Sequence, residues 1–268
     1  MTTRSLIVRR RDIESVPRPP GGRFAESRWL PVPVPERLSG ALGIFCADTT
    51  DALVALTYDD GPHPVHTPAI LDALARHGSH ATFFVLARQA RAHPDIVQRI
   101  VAEGHELALH GDDHRSLRTM SHRAGLDMIR ACAREVGDIG GARVRLYRPP
   151  YGAHTPRHAL AIRRLGMEVV LWSGDGLDWV HDEEAAIAAR ALDSAFPGGI
   201  ILMHDDRGDP ETLAEHETAP AFDRGQVTSL LLDGLESRGL HAVTVGALLE
   251  GRAAVRSIAK GRAWGEGS

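Results

Sequence analysis

From residue 51 onward, short apolar runs alternate with helical patterns, and this alternation restricts the possible folds more than any other feature. The runs are almost continuously apolar, which is typical of parallel strands buried on both faces. They occupy residues 53–56, 81–86, 106–109, 144–147, 167–172, 199–203 and 241–245. The helical patterns occupy residues 67–76, 94–103, 121–138, 156–165, 183–195, 226–237 and 245–250. Seven strands that alternate with helices predict an α/β fold.

Residues at the ends of the helical patterns support this division. Pro94 and Pro156 stand where the first turn of a helix tolerates proline, and Gly78 and Gly166 stand just beyond helix ends. We therefore predict a distorted (β/α)7 barrel, which suits a chain of 268 residues. A doubly wound open sheet is the alternative, but the chain has nothing like the Gly-rich phosphate loop of that fold.

The predicted barrel occupies residues 46–250 as one domain. Residues 1–45 are rich in proline and cannot form a long helix, so we expect an extended segment that packs on the domain. Residues 251–268 show little periodicity and predict a loose tail. Residues 205–225 form a long acidic insertion, which is either a solvated loop or a cover over the neighbouring site.

Charge and cysteine content exclude several classes of function. Lys and Arg number 31 against 35 Asp and Glu, so the net charge is −4 and neither nucleic acid nor a membrane surface is an expected partner. Cys46 and Cys132 belong to no paired motif and predict two buried free thiols. The apolar run at residues 6–8 is too short for a signal peptide, so we expect a cytoplasmic location.

Unusual polar residues cluster where the predicted strands end. In a β/α barrel, these positions share the C-terminal rim on which active sites are built. Five clusters on one rim are improbable as coincidence, so the sequence predicts an active site there. The clusters are Asp59 and Asp60, His110 to His114, Arg148 to Tyr151, Asp175 to Trp179, and His204.

Two histidines four residues apart, His110 and His114, could share a metal ion. An isolated pair of this kind is more often a surface coincidence, but here it follows a strand. One carboxylate from Asp59 or Asp60 would complete a three-ligand site with open positions, as in catalytic metal centres. The other carboxylate could take a proton from an attacking water molecule.

His204 directly follows an apolar strand, so it is either a buried core histidine or a functional group. As a functional group, it would act as a general acid that protonates a leaving amine. Asp178 is a candidate to orient this imidazole, and a nearby carboxylate would raise its pKa.

Five motifs in this order resemble those of the polysaccharide deacetylases with the NodB-homology domain, carbohydrate esterase family four. They are TYDDGP at 57–62, HGDDH at 110–114, RPPY at 148–151, DGLDW at 175–179 and LMH at 202–204. The resemblance covers about residues 50–250. It implies a metal-dependent hydrolase that removes N-acetyl groups from amino sugars, leaving acetate and a free amine.

The resemblance also implies a role for each motif residue. The metal, zinc or else cobalt or another divalent ion, would be bound by Asp60, His110 and His114. The remaining roles concern the proton transfers, the oxyanion and the acetyl pocket. They are Asp59 as base, Arg148 as its tether, His204 as acid tuned by Asp178, the Tyr151 backbone N–H at the oxyanion, and Trp179 and Leu202 as pocket walls.

One departure from the motifs leaves the substrate open, because Gly111 stands where the family has Ser or Thr. A small non-carbohydrate amide or imide is therefore an alternative substrate to an N-acetylated carbohydrate. A non-catalytic carbohydrate-binding relic is a third hypothesis, but it would be expected to have lost Asp59 or His204. With a cytoplasmic location, we expect short soluble N-acetyl substrates rather than insoluble polymer. The oligomeric state stays open.

Overall fold

The computed structural model describes residues 5–9, 32–34, 39–207 and 220–258. Within these ranges the chain forms twelve strands and eight α-helices. The strands are β1 Ser5–Arg9, β2 Val32–Val34, β3 Gly43–Asp48, β4 Leu53–Asp59, β5 Thr82–Leu86, β6 Glu106–Gly111, β7 Leu146–Tyr147, β8 Glu168–Val169, β9 Gly174–Asp175, β10 Ile200–His204, β11 His241–Val243 and β12 Ala253–Ile258. The helices are α1 His66–Arg76, α2 Ala87–Ala92, α3 Pro94–Ala102, α4 His122–Gly140, α5 Pro156–Arg164, α6 Glu184–Asp193, α7 Arg224–Ser237 and α8 Val245–Leu249.

The main sheet is parallel and curls into an incomplete barrel. Its strand order is β8-β7-β6-β5-β4-β10-β9, and β11 pairs with the first half of β4. If the sheet were flat, its two edge strands would lie about 29 Å apart. Yet only residues 170–173 separate β8 from β9 in the chain, and they span at most about 18 Å. The two edges must therefore approach each other. This confirms the predicted distorted (β/α)7 barrel and excludes the flat open sheet.

The barrel has a seam between β8 and β9, and β3 lies across one end of it. Ile44 of β3 forms a parallel bridge with Val170, just after β8. On the other side, the Ala47 N–H donates to the carbonyl of Gly198, two residues before β10, at 2.8 Å. β3 also pairs antiparallel with β12 in a second sheet of order β2-β1-β12-β3.

This second sheet differs from what the sequence predicts. The predicted boundary between residues 45 and 46 falls inside β3, and residues 253–258 form β12 instead of part of a loose tail. Most of the proline-rich segment, at 1–4, 10–31 and 35–38, lies outside the described residues, as do residues 259–268. The pairing of β12 with β1 and β3 is a long-range contact, which local periodicity does not reveal.

Within the barrel, the seven apolar runs each contain or overlap a strand, and the seven helical patterns each contain or overlap a helix. The strands β7 and β8 are shorter than predicted, at two residues each. The two-residue strand β9 and the helix α2 were not predicted. α2 follows β5 directly and is only six residues long, so it shows no amphipathic period of its own.

Two further expectations concern the cysteines and membrane insertion. Cys46 and Cys132 are both buried and form no disulfide with each other, as predicted. Among the helices of the described ranges, none combines the length and the apolar character needed to cross a bilayer.

Candidate active site

The predicted clusters meet at the C-terminal rim of the barrel because the strands that carry them are neighbours. β4 and β10 pair in parallel, and their register places His204 opposite Asp59. β6 ends at Gly111, directly after His110, and its neighbour β7 is followed directly by Arg148. The rim therefore brings together side chains that are separated by more than 140 residues in sequence.

Asp60, His110 and His114 form a group that fits a divalent metal ion. The Asp60 Oδ1 atom lies 3.3 Å from His110 Nε2 and 3.6 Å from His114 Nε2. Two donors that bind one tetrahedral zinc ion at about 2.1 Å lie about 3.4 Å apart. Among the described residues, this is the one group of three or more potential ligands whose donor atoms lie within 4.8 Å of one another.

Contacts around the group orient the ligands. The Nδ1 atom of His110 lies 2.7 Å from the Arg148 carbonyl, so a proton on Nδ1 leaves Nε2 to face Asp60. Burial raises the pKa of Asp60, but the neighbouring imidazoles of His110, His114 and His204 outweigh it. The net effect holds the Asp60 pKa well below its usual range, as a carboxylate ligand requires.

Gly111 allows the turn between His110 and His114. Its φ is +140°, in the region that favours glycine, and a Cβ here would lie 2.9 Å from the Asp113 carbonyl oxygen. A serine or threonine would strain this backbone, so the departure from the family motif matches the local geometry. The loop is held from outside by Asp112, whose carboxylate accepts from Arg91 at 2.6 Å and whose carbonyl accepts from the Arg88 N–H at 3.0 Å.

Arg148 holds Asp59 from inside the barrel. Its Nη1 atom donates to Asp59 Oδ1 at 2.6 Å and to Thr57 Oγ1 at 2.8 Å, and Nη2 donates to the Leu171 carbonyl at 3.1 Å. The guanidinium carbon lies 4.1 Å from the centroid of the Phe84 ring. Arg148 is 0% exposed and Asp59 is 2% exposed, so this is a fully buried ion pair. It fixes one carboxylate oxygen and leaves Oδ2 on the side of His110, at 3.8 Å from Nε2.

His204 and Asp178 form the second pair at the rim. Asp178 accepts twice from His204, with Oδ1 at 2.7 Å from the ring Nδ1 and Oδ2 at 2.8 Å from the backbone N–H. Burial lowers the pKa of His204, but the charge and hydrogen bond of Asp178 more than offset it and raise the pKa to about 10. The imidazolium is therefore the form present at neutral pH.

The pocket residues lie around these two pairs. The Trp179 ring meets the His204 ring edge to face, with centroids 5.8 Å apart. Leu202 is 3% exposed and two positions before His204 in β10, so both side chains point to the same side of the strand. Tyr151 has a positive φ of 58° and its ring meets His114 edge to face at 4.3 Å. Trp179, Leu202 and Tyr151 therefore lie close to His204 and His114, and their role as pocket walls stays a prediction.

The sequence prediction missed two residues, both at the ends of the acidic insertion. Asp205 is 1% exposed and Arg224 is 7% exposed, so neither belongs to a solvated loop. Arg224 Nη1 donates to the carbonyl of His204 at 2.8 Å and to Asp178 Oδ2 at 3.2 Å. The middle of the insertion, 208–219, lies outside the described residues. The position of Asp205, directly after a buried strand on the active rim, was the available signal.

The chain is similar in sequence to known deacetylases. A family model described as polysaccharide deacetylase matches residues 47–170. A chitooligosaccharide deacetylase of Sinorhizobium fredii is 37% identical over 187 residues, which are 69% of this chain and 86% of that protein. A peptidoglycan-N-acetylglucosamine deacetylase of Listeria monocytogenes is 34% identical over 196 residues, covering 73% of this chain and 38% of that protein.

A family 4 carbohydrate esterase from Streptomyces lividans, solved in complex with acetate, has the same fold. Its TM-score is 0.63 and its identity 26%, over 76% of this chain and 98% of the esterase. The order of the motifs, the geometry of the rim and these similarities lead to one conclusion. The chain belongs to the polysaccharide deacetylase family, carbohydrate esterase family four.

Proposed function

We propose that this protein removes N-acetyl groups from amino sugars in a metal-dependent hydrolysis that yields acetate and a free amine. The observation that carries the proposal is that the buried Asp59, the group of Asp60, His110 and His114, and the partly buried His204 lie on one rim. The names of the relatives support it, since they are deacetylases of chitooligosaccharide and of peptidoglycan N-acetylglucosamine. An N-acetylated oligosaccharide is therefore the substrate class that we favour.

Asp60, His110 and His114 would hold the ion. Two imidazoles and one carboxylate suit zinc best, and cobalt has similar ligand preferences. When bound, the ion supplies a Lewis acid that polarises the amide carbonyl and lowers the pKa of water.

Asp59 is the proposed general base. It accepts a proton from the attacking water while the new C–O bond forms at the amide carbon. The ion pair with Arg148 fixes the direction of the carboxylate. The Tyr151 backbone N–H donates to the carbonyl oxygen as negative charge develops on it.

His204 is the proposed general acid. Its proton passes to the amide nitrogen as the C–N bond breaks, so the amine leaves as a neutral group and not as an anion. A pKa near 10 keeps the imidazole protonated before this step, and Asp178 stabilises that form. Trp179 and Leu202 would enclose the acetyl methyl, which favours acetyl over longer acyl groups.

The test compares metal content and activity in variants of the three ligands. Asp60→Ala, His110→Ala and His114→Ala should each lose bound zinc, measured by elemental analysis, together with acetate release from N-acetylchitooligosaccharides. His77→Ala is the matched control, because His77 lies just after the last residue of α1. Among the described residues its ion-pair partner is the exposed Asp233, at 3.9 Å. Full zinc occupancy in the three ligand variants would refute the assignment.

A second experiment distinguishes the role of Asp59 as base from metal binding, and it also tests which substrate class is preferred. Asp59→Asn should retain zinc but lose about 10²- to 10⁴-fold in kcat, the usual contribution of a general base. Rates on short N-acetyl oligomers, wall polymer and small amides or imides would then rank the substrate classes. We expect the short oligomers to be best. The cytoplasmic location stays a prediction, which fractionation of the host would test.

A further inference from the structure

The backbone of Asp60 adopts a conformation that a non-glycine residue does not hold by itself. Its φ is +83°, in the left-handed region. This conformation costs about 1–3 kcal/mol and persists only where the surroundings impose it. To bind the same ion as His110 and His114, the Asp60 carboxylate must also be placed with a precision of a few tenths of an ångström. Contacts outside the ligand group must therefore fix this turn.

Backbone contacts from β5 hold the turn on one side. The Asp60 N–H donates to the Phe84 carbonyl at 3.3 Å, and the Leu86 N–H donates to the Gly61 carbonyl at 3.0 Å. The first of these is long for a hydrogen bond between backbone groups. Both contacts lie on the β5 side of the turn. The peptide between Asp60 and Gly61 therefore also needs a contact on the opposite side.

Asp205 provides the contacts on that other side. Its Oδ1 atom accepts from the Gly61 N–H at 2.8 Å, and its own N–H donates to the Asp59 carbonyl at 3.1 Å. One residue thus binds the chain immediately before and immediately after Asp60. Its Oδ2 atom accepts from the Thr67 hydroxyl at 2.5 Å, which ties the carboxylate to the first turn of α1.

The contact between Asp205 and Gly61 is close and buried. A Cβ at position 61 would lie 2.1 Å from Asp205 Oδ2, so the carboxylate fills the space that a side chain there would need. Asp205 is 1% exposed, and no cation is among its hydrogen-bond or ion-pair partners in the described ranges. Burying a carboxylate without a cation costs stability. A role beyond stability accounts for such a residue better than packing does.

We propose that Asp205 is a positioning residue that holds the Asp60 turn in the geometry needed to bind a divalent ion. It contacts neither the ion nor the substrate, and it acts through Gly61 and Asp59. This inference rests on the proposed metal site, since it concerns the shape of that site before the ion binds. It extends the site to a residue outside the five motifs.

The test measures zinc affinity by calorimetry on metal-free protein, so that no activity enters the result. Asp205→Ala should weaken zinc binding about 10- to 100-fold, as loss of contacts behind metal ligands commonly does. Asp205→Asn should bind almost as well as the unaltered protein. Its amide oxygen can accept from the Gly61 N–H and its NH2 group can donate to Thr67 Oγ1. The substitution therefore retains both hydrogen bonds and removes only the negative charge.

Asp206→Ala is the matched control. Asp206 is the next residue and its charge also acts on Asp60, but its carboxylate contacts Gln89, at 2.8 Å, rather than Gly61. Asp206→Ala should therefore change zinc affinity much less than Asp205→Ala. Equal losses in the two alanine variants, or equal losses in Asp205→Asn and Asp205→Ala, would mean that charge matters and would overturn the proposal.

The remaining outcomes separate this inference from the proposed function. If the unaltered protein binds no zinc, cobalt or other divalent ion, the metal site itself is wrong. If it binds zinc and a folded Asp205→Ala binds equally well, only the role of Asp205 is wrong. Should Asp205→Ala fail to fold, Thr67→Val replaces it, because valine keeps the shape and removes the hydroxyl donor to Asp205. A smaller loss of zinc affinity supports the proposal, and unchanged affinity overturns it.

Discussion

Replacing Arg148 by methionine tests whether the buried ion pair with Asp59 is held by charge or by packing. Methionine retains much of the apolar volume over Phe84 but removes the guanidinium. Asp59, at 2% exposure, then remains buried without its cation. Breaking a buried ion pair in this way typically costs about 3–5 kcal/mol. The Thr57 hydroxyl and the Leu171 carbonyl also lose their donor, so the upper part of this range is expected.

The expected loss corresponds to a clear change in melting temperature. At about 2.1 cal/mol/K per residue, the unfolding entropy of a chain of 268 residues is about 0.56 kcal/mol/K. A loss of about 4–5 kcal/mol should therefore lower Tm of Arg148→Met by about 7–9 °C, measured by calorimetry with a chelator present so that metal binding does not contribute. Arg145→Met is the control, since Arg145 is exposed, and it should change the stability by less than about 0.5 kcal/mol.

The double variant Arg148→Met with Asp59→Asn separates the two explanations. It removes both charges, so it should be more stable than the sum of the single effects predicts, by about 1–3 kcal/mol. Additive effects in the double variant would show that the guanidinium acts through packing alone. A change in Tm below about 2 °C for Arg148→Met would refute the estimate of its electrostatic role.

Three further predictions concern the acid, the ligand turn and the acyl pocket. The pKa of His204 is about 10, because Asp178 more than offsets the lowering by burial, so kcat should fall as pH rises through about 10. The fall should move to lower pH in Asp178→Asn, and an unchanged pH profile would contradict this. The same pair should stabilise the fold fully below the usual histidine pKa of about 6.5 and lose this contribution as pH rises towards 10. Gly111→Ser should lower stability by about 1–3 kcal/mol and weaken zinc binding, because φ is +140° there; tighter binding by calorimetry would show that the turn tolerates a side chain. N-butyryl substrates should react more slowly than N-acetyl ones, and Trp179→Ala should reduce the difference in kcat/KM; equal rates for both acyl groups in the unaltered protein would refute the pocket assignment.

The strands and helices of the barrel could be predicted from the sequence, because their apolar patterns repeat along the chain. The grouping of the polar residues at the strand ends could be predicted as well. The apolar runs identify the buried strands of the barrel, and parallel strands place their C-terminal ends on one rim. For that reason Asp60, His110 and His204 could be expected to meet although they are distant in sequence. Their roles and the identity of the ion still stay predictions.

Features that depend on tertiary context could not be predicted. Asp205 belongs by composition to an acidic stretch, and its burial follows only from its contacts with Gly61 and Thr67. Likewise, β12 has little apolar periodicity, and it forms because β1 and β3 supply partners on both sides. At Gly111, the family motif suggested a missing hydroxyl, whereas the backbone angle shows a position that favours glycine.

The placement of β3 at the seam also affects self-association. A fully closed barrel has no free strand edge, whereas the strand order of this one, within the described residues, ends at β8 and β9. An uncovered edge offers unpaired backbone groups on which another chain can add a strand. Because β3 engages the segments next to β8 and β10, it shields one end of this opening. Weakening β3 should therefore promote intermolecular strand pairing and aggregation.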